Sequence, residues 1–390
     1  MTRAILAWCL YDLANTIFAI NMTSYHFPVW VVADRGGTEL AYGLGFGLSM
    51  LASAAVMPWL GRVSDRTGRR APWLIVSTVA CVLLTASIGW VSSLTSALLL
   101  FALANFCYQI AGLFYSALMP VVVPPDRMGR VSGYGVALGY VGTLLGILAT
   151  ASIAARWGRQ ATFLPTGVLF LILSLPAFLW VRDGPVPAQN NAGKPDVIGS
   201  LRPLLSSAWW GLSVIGITVV FMAVYAKQAV GLSDPDLQRT LVLATTVTVA
   251  GTTLWGRVTE RIGGFRALGW VWAVWAAAFG LASLGFDPVV FTVVSCIAGV
   301  ALGGTWVSSR VLLLEWVGPQ AAGEVFGLFG LISRLSGVAG PILWGIFLSI
   351  SAPLGRERYR LGMGLLFAAT LTGAWLYSRV RPPRQSLLVE

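Results

Sequence analysis

The stretch GRVSDRTGRR, residues 61–70, holds five charged side chains in ten positions, although charged residues make up only 11% of this 390-residue chain. The rest is strongly apolar: 57% of all residues are hydrophobic, and the mean hydropathy is +0.78. Apolar segments of about 20 residues recur from end to end, which is the length that crosses a bilayer core as a helix. Because backbone groups cannot stay unpaired in lipid, each segment is predicted to be a transmembrane helix.

Twelve such segments predict an all-α membrane protein, and the charged stretch falls between the second and the third. Residues 182–203 are rich in proline and poor in apolar residues, so they predict a cytoplasmic linker between two six-helix bundles, 1–181 and 204–390. Asp12 and Asn15 interrupt the first segment, which we interpret as an uncleaved helix rather than a signal peptide. The spans are predicted near 4–32, 39–62, 71–92, 95–123, 129–156, 160–181, 204–231, 237–260, 265–286, 288–317, 321–350 and 357–379.

The distribution of basic residues predicts the orientation of the chain in the membrane. If both termini are cytoplasmic, most Lys and Arg residues outside the spans lie on the cytoplasmic side, as expected for a bacterial inner-membrane protein. Arg356, Arg358 and Arg360 share one outer loop and weaken this bias without reversing it. The net charge of +11 is then explained by topology and anionic lipid, and nucleic acid is not a predicted partner.

No pattern of a cofactor, a metal site or an enzyme is found. The four cysteines lie inside apolar spans without the spacing of metal ligands or of a disulfide framework. No phosphate-binding GxxxxGK[ST] loop occurs, and the single histidine, His26, lies within the first span, away from any Ser or Cys nucleophile pattern. We therefore predict a protein that is not an enzyme and that takes its energy from a gradient. A monomer is expected.

The charged stretch has a second copy. GRVTERIGGFR, residues 256–266, lies between the eighth and ninth predicted spans, and its start is offset from residue 61 by 195 positions, half of the chain. Both copies thus occupy the same place in a six-helix unit. This indicates two parallel repeats related by an axis along the membrane normal.

The first copy resembles the signature of the major facilitator superfamily, GxxxDRxGRR or RK between spans 2 and 3. The positions of that signature are filled by Gly61, Asp65, Arg66, Gly68, Arg69 and Arg70. The second copy keeps Gly256, Glu260, Arg261 and Gly263. The resemblance implies a transporter of two pseudo-symmetric six-helix bundles, a fold that alternates access by rocking.

A narrower resemblance is to the vacuole effluxer branch of that superfamily, whose fungal members are linked to amino-acid export. It differs in the short linker and in Arg334, where lysine is expected. Three stretches carry it: LYDLANTIFA (10–19), PPDRMGRVSGYGVALGYVG (124–142) and FGLFGLISRLSGVAGPILWG (326–345).

The superfamily resemblance also implies a role for the charged stretch. Asp65 is expected to meet the start of helix 11, near residues 320–323, and Glu260 to mirror it at the start of helix 5, near Gly129. An acid stabilises the positive N-terminus of a helix, so such contacts would close the cytoplasmic side. The alternative is that the arginines only anchor the loop to anionic headgroups.

Polar residues within spans are costly and therefore candidates for function. At 100° per residue, Asp12, Asn15, Met22, Thr23 and His26 form one stripe on helix 1. Similar positions occur on helices 4, 10 and 11. The candidate substrate and coupling residues are Asp12, Asn15, His26, Asn105, Gln109, Trp306, Arg310, Glu315 and Arg334.

Depth suggests that Asp12 and Arg310 pair across the two halves. Such a pair is either a site for which substrate or protons compete, with Asp12 as the titrating group, or a static tether between helices. His26 is either a proton sensor or a hydrogen-bonded structural residue. Glu315 is either a coupling residue or a solvated one at the membrane interface.

These patterns predict a secondary transporter that exports small organic solutes, with amino-acid-like compounds favoured by the branch resemblance and protons as a candidate coupling ion. The Gly-Pro pair of the antiporter signature is absent from helix 5. Three alternatives stay open: a lipid or lysolipid flippase, a ferroportin-like cation exporter, and a non-transporting membrane receptor or scaffold.

Overall fold

A computed structural model describes residues 2–184 and 225–380, together with 204, 207, 211–217 and 222. Within these residues the fold is helical without strands, and eleven segments are long and apolar enough to cross a membrane. The predicted all-α fold is therefore confirmed. The predicted linker, apart from its first residues, and much of the seventh predicted span lie outside the described residues.

The helices follow the predicted spans closely along the chain. Serine or threonine side chains cap several of their beginnings; Thr2 accepts from the amide of Ile5, and Thr38 from that of Ala41. The helices are α1 (Arg3–Phe18), α2 (Glu39–Thr67), α3 (Ala71–Ile88), α4 (Leu94–Val122), α5 (Met128–Trp157), α6 (Phe163–Trp180), α7 (described at 211–217), α8 (Asp234–Ile262), α9 (Gly264–Ala282), α10 (Pro288–Val317), α11 (Ala322–Ile350) and α12 (Glu357–Ser378), and a π-helical turn, Ala226–Val230, lies before α8.

Contacts divide the chain into two compact units. Unit 1 comprises Met1–Gln189 and Val317–Leu331, and unit 2 comprises Asn190–Trp316 and Ile332–Glu390. In unit 1, α1 packs against α5 and α6, while α3 packs against α4 and α6. In unit 2, α9 packs against α8 and α12. The beginning of α11 thus belongs to the same unit as α1 to α6.

Large apolar side chains remain exposed along the described helices, as expected where the surrounding solvent is lipid. Leu148 in α5 and Leu103 in α4 are examples. Two exposed tryptophans, Trp90 and Trp157, lie at helix ends, which is typical of the aromatic belts at membrane interfaces. The chain is an integral membrane protein.

Glycines allow α5 to approach α1 closely. A Cβ atom at Gly142 would overlap the carbonyl oxygen of Leu13, and one at Gly146 would lie 2.9 Å from Cγ2 of Ile20. Small residues at this spacing let two helix backbones touch. The α1–α5 seam therefore depends on these glycines.

The first span is not one regular helix. After Phe18 it continues as a π-helical turn, Ala19–Ser24, and is interrupted at Tyr25, with φ −128° and ψ −81°. The chain then forms a short α-helical turn and a second π-helical turn, Trp30–Asp34. Because π-helical turns are wider than α-helical ones, positions beyond Phe18 do not keep the 100° spacing on which the predicted polar stripe rests.

Candidate functional site

The 61–70 segment comprises the last two turns of α2 and the connection to α3. α2 ends at Thr67, and Gly68 follows with φ 66°, a left-handed conformation that glycine adopts without a Cβ clash. Asp65 lies in the last turn of α2, and its side chain is only 9% exposed. A carboxylate removed from water in this way needs hydrogen-bond partners.

Asp65 finds two of these partners at the beginning of α11. Its Oδ1 lies 2.9 Å from the amide nitrogen of Gly323, and its Oδ2 lies 2.7 Å from that of Glu324. The first amides of a helix have no acceptor within the helix and carry the positive end of its dipole. The contact that the resemblance implied for Asp65 is thus present, and we refer to it as the Asp65–α11 contact.

Glycines bring the two helix backbones together at this point. A Cβ atom at Gly61 would overlap the carbonyl group of Gly323, and one at Gly327 would lie 2.6 Å from the carbonyl oxygen of Met57. Neither glycine therefore has space for a side chain. The backbone approach of α2 and α11 is what brings Asp65 within reach of the amides.

Arg70 completes the Asp65–α11 contact. Its Nη2 donates to Oδ1 of Asp65 at 2.6 Å and to the carbonyl oxygen of Pro319 at 3.0 Å. Arg70 is itself buried, with 7% of its surface exposed. Its backbone is held from elsewhere, because Oδ1 of Asp183 accepts from the amides of both Arg70 and Ala71, each at 2.8 Å. Sequence analysis missed Asp183, since an acceptor 112 or 113 residues away leaves no local pattern.

The other arginines of the segment differ in their surroundings. Nε and Nη2 of Arg62 donate to Oε1 of Glu324 at 3.2 and 2.8 Å. Arg66 and Arg69 are exposed. The four arginines therefore divide into two that contact the beginning of α11 and two at the surface, where contact with headgroups is the expected role.

The second copy, residues 256–266, repeats the turn of the first. α8 ends at Ile262, and Gly263 follows with φ 80°. The next helix, α9, begins at once with Gly264. The predicted gating roles of Glu260 and Arg261, and the contact of Glu260 with the start of α5, stay predictions.

Glu315 is not a solvated residue at the end of α10, as one reading of the sequence had it. Its Oε1 and Oε2 lie 3.1 and 3.0 Å from the amide nitrogen of Gly264. The carboxylate therefore satisfies the first orphan amide of α9. This contact within unit 2 gives Glu315 a capping role, and the substrate or coupling role stays a prediction.

Asp12 lies on the seam between α1 and α5. A Cβ atom at Gly135 would lie 3.5 Å from its Oδ2, and one at Gly139 would lie 3.6 Å from its Cγ. The two glycines thus make room for the carboxylate. Trp8 stacks on Tyr115 beside it, with ring centroids 4.4 Å apart, so the acid lies next to aromatic rings. The predicted pairing of Asp12 with a basic residue of the other half stays a prediction.

The other members of the predicted helix 1 stripe differ in their contacts and in their burial. Nδ2 of Asn15 lies 3.5 Å from the hydroxyl of Tyr108 in α4. Met22 is fully buried, whereas Thr23 is partly exposed and donates to the carbonyl of Ala19. The π-helical turns after Phe18 change the angular spacing that the predicted stripe assumed, and the substrate or coupling role of the stripe stays a prediction.

His26 is buried and contacts α5, a setting that favours the structural alternative over the proton sensor. Its Nε2 lies 2.9 Å from Oγ1 of Thr150 in α5, and that hydroxyl lies 2.7 Å from the carbonyl oxygen of Gly146. Since the hydroxyl donates to the carbonyl, it accepts from the imidazole, which assigns the ring proton to Nε2. Asn21, which sequence analysis missed, is buried beside it and donates to Oγ1 of Thr166 at 3.0 Å.

Two candidates on α4 face α2 within unit 1. Nδ2 of Asn105 donates to Oγ of Ser49 at 2.7 Å, and Asn105 is fully buried. Nε2 of Gln109 lies 3.0 Å from Sδ of Met50. These contacts tie α4 to α2. The substrate roles of Asn105 and of Gln109, which is partly exposed, stay predictions.

The remaining candidates lie in α10 and α11. Trp306 and Arg310 are partly buried and one helical turn apart, so they share a face of α10. Arg334 is partly buried in α11. Among the residues that the structure describes, no group of three or more His, Cys, Asp or Glu side chains is arranged to hold a metal ion.

Comparison with known proteins gives a family match along nearly the whole chain. The profile of the Major Facilitator Superfamily matches residues 12–232 and 211–389. The match covers both copies of the charged segment and the residues between them. It agrees with the repeat that the 195-position offset predicted.

Relatives in sequence and in structure cover almost the full chain. An uncharacterized protein of Aquifex aeolicus is 26% identical over 384 residues, 96% of each chain. The multidrug resistance protein MdtG of Dickeya zeae is 24% identical, with 97% of this chain and 95% of that protein covered. A bacterial homologue of the iron transporter ferroportin, solved in an outward-facing state, superposes with a TM-score of 0.76 at 15% identity over 97% and 98% of the two chains. At that identity the likeness shows the fold alone.

Proposed function

Because the chain belongs to the Major Facilitator Superfamily, we propose that it is a secondary transporter that exports small organic solutes by alternating access. It would lie in a bacterial inner membrane with both termini in the cytoplasm. The Asp65–α11 contact is the observation that carries this proposal, since a nearly buried carboxylate joins two helices 258 residues apart in sequence. We infer that this contact closes the cytoplasmic side and breaks when the site opens inward.

The chemistry of the contact suits repeated opening and closing. It consists of two amides and one guanidinium around a single carboxylate, and the helices meet through glycine backbones rather than through interlocked side chains. A carboxylate at a helix N-terminus contributes up to about 2 kcal/mol when partly buried. Differential binding of a solute to the two states can supply a free energy of that size.

We propose Asp12 as the group that exchanges protons. Among the carboxylates of residues 2–184 and 225–380, Asp12 alone lies more than two helical turns from both ends of its span. A charged side chain at such a depth is costly, by roughly 2.5–3.5 kcal/mol on insertion scales. The nearby glycines of α5 leave space for the carboxylate, which supports a functional role.

The substrate class rests on the residues present and on the relatives. The name of MdtG states multidrug resistance, and that of the ferroportin homologue states iron transport. The described part of this chain holds no cluster of metal-binding side chains, and His26 is engaged with Thr150. We therefore favour small organic solutes, including amino-acid-like compounds, over a metal cation.

Uptake into proteoliposomes tests the proposal. The purified protein is reconstituted and offered a panel of labelled amino acids and other small organic solutes, with and without a pH gradient. We expect at least one solute to accumulate in response to the gradient. With Asp12→Asn, accumulation should disappear while solute exchange survives, because exchange needs no net proton movement.

Asp34→Asn is the matched control, since it removes the same charge from the end of the same span. Asp34 pairs with Arg159 at 2.7 Å, and this variant should keep gradient-driven accumulation. Equal accumulation by wild type and Asp12→Asn would remove Asp12 from the coupling role. Failure of every solute to move would contradict the transport proposal.

A further inference from the structure

Asp183 holds the backbone next to the Asp65–α11 contact. It follows α6 and lies just before residues 185–203, which connect the two halves of the chain. Its Oδ1 accepts from the amides of Arg70 and Ala71, the first two at the start of α3. The carboxylate thus fixes where α3 begins.

Because Asp183 binds these amides, the side chain of Arg70 can contact Asp65 and Pro319 instead of capping α3. Arg70 occupies the N-cap position of α3, and its own side chain makes no capping hydrogen bond. A cap is normally supplied by a Ser, Thr, Asp or Asn at that position. Here Asp183 supplies the oxygen instead, and the guanidinium of Arg70 reaches the other way, to Asp65 and to Pro319.

We propose that Asp183 is a positioning residue for the gate, an inference that rests on the proposed function of the Asp65–α11 contact. Asp183 orients the Arg70 backbone so that its guanidinium bridges Asp65 and the carbonyl before α11. Without Asp183, the amides at the start of α3 lose their acceptor and this turn moves. The end of α6 is thereby coupled to the closure of the gate.

The second unit contains a similar helix cap that is not next to an arginine–carboxylate contact. There Glu315 caps the start of α9, but Phe265 occupies the position equivalent to Arg70, 195 residues later. No arginine side chain at that position reaches toward an acid. Glu315 is therefore the natural control for Asp183, since its loss removes the same kind of cap without touching Arg70.

A thiol at position 64 reports on the contact. Ser64 is fully buried, and its Oγ lies against Gly323, close enough that a Cβ atom there would be 2.5 Å away. In purified protein in detergent, with the four native cysteines replaced by serine, Ser64→Cys is expected to react with a maleimide only when α2 and α11 separate. The reaction rate therefore measures how often the contact opens.

We expect Asp183→Ala to raise the labelling rate about tenfold, equivalent to about 1.4 kcal/mol in the opening equilibrium. Asp183→Asn should stay near the wild-type rate, because an amide oxygen can still accept both hydrogen bonds. Glu315→Ala should leave the rate unchanged. Each variant is checked by thermal unfolding and size-exclusion chromatography, so that a misfolded protein is recognised.

The outcomes separate this inference from the proposed function. If Asp65→Asn raises the labelling rate and Asp183→Ala does not, Asp183 is not a positioning residue and the gate stands. Equal increases with Asp183→Ala and Glu315→Ala would show general loosening and would overturn the inference. If Asp183→Ala raises the rate, Asp183→Asn restores it and Asp65→Asn has no effect, Asp183 positions this turn and the gate proposal fails.

Discussion

The two copies of the charged segment turn the chain alike but hold it with different chemistry. Both end their helix at a glycine with positive φ, Gly68 and Gly263, which are separated by the same 195 positions as the copies themselves. In the first copy Arg70 forms a buried ion pair. In the second, Phe265 takes that position and stacks on Tyr377, with ring centroids 4.7 Å apart.

In each unit, a residue at or just after the end of the last helix forms a hydrogen bond with the charged segment of that unit. After α6, Asp183 accepts from the amide of Arg70. At the end of α12, the hydroxyl of Tyr377 donates to the carbonyl of Phe265 at 2.8 Å. In both units the chain near a helix end thus contacts the segment, through a carboxylate in unit 1 and through an aromatic side chain in unit 2. The polar contacts of the first copy can open when water takes the place of a partner. The stacked rings of the second copy are expected to stay packed.

The largest loss of stability is expected from Arg70→Phe, which gives the first copy the residue found at the equivalent position of the second copy. Arg70→Phe leaves the Asp65 carboxylate buried without its cation, which costs about 3–5 kcal/mol when a buried pair loses one partner. Thermal unfolding in detergent measures this loss, and transport should fall with it. Adding Asp65→Asn should recover part of the stability, because no unpaired charge remains. Unchanged stability of Arg70→Phe would mean that the ion pair does not distinguish the copies.

A smaller effect is expected from a single methyl group at the helix contact. Gly61→Ala places a Cβ atom on the carbonyl of Gly323, and such overpacking costs about 1–3 kcal/mol. We expect faster labelling of a cysteine at Ser64 and impaired transport. Gly43→Ala in the same helix has open space around it and serves as the control. Equal behaviour of the two variants would argue against a backbone contact at Gly61.

Removal of the cap in the second copy should affect stability alone. Glu315→Ala leaves the amide of Gly264 without its acceptor, and loss of a cap costs about 0.5–2 kcal/mol. Thermal unfolding should show that decrease, and Glu315→Gln should restore most of it. Gradient-driven transport should persist in both variants. A loss of transport in Glu315→Gln would return Glu315 to the coupling residues.

The smallest effect is expected at the rim of the first copy. Arg62 is 48% exposed in its ion pair with Glu324, and exposed pairs contribute about 0.2–1 kcal/mol. Arg62→Ala should therefore change cysteine labelling at Ser64 only slightly, and salt should diminish the difference by screening. If Arg62→Ala lowered the thermal stability as much as Arg70→Phe does, the main interaction of the first copy would lie at Arg62.

Local patterns in the sequence predicted the membrane-spanning helices and the Asp65–α11 contact, the latter through the superfamily signature. They failed where the signal was not local. The stripe through Met22 and His26 assumed a regular helix, and the π-helical turns after Phe18 changed the spacing. The polarity of Asn105 within a span does not reveal that it faces Ser49 of α2.

The sequence by itself determined the class of fold and the twofold repeat. Length and hydropathy decide whether a segment crosses lipid, and the 195-position offset is visible without coordinates. Only the tertiary structure decided which acid meets which helix: Asp183 acts on Arg70, and Glu315 on Gly264. Those pairings depend on how helices pack over many residues of separation, because a hydrogen bond requires two groups within about 3 Å and no short sequence pattern encodes that distance.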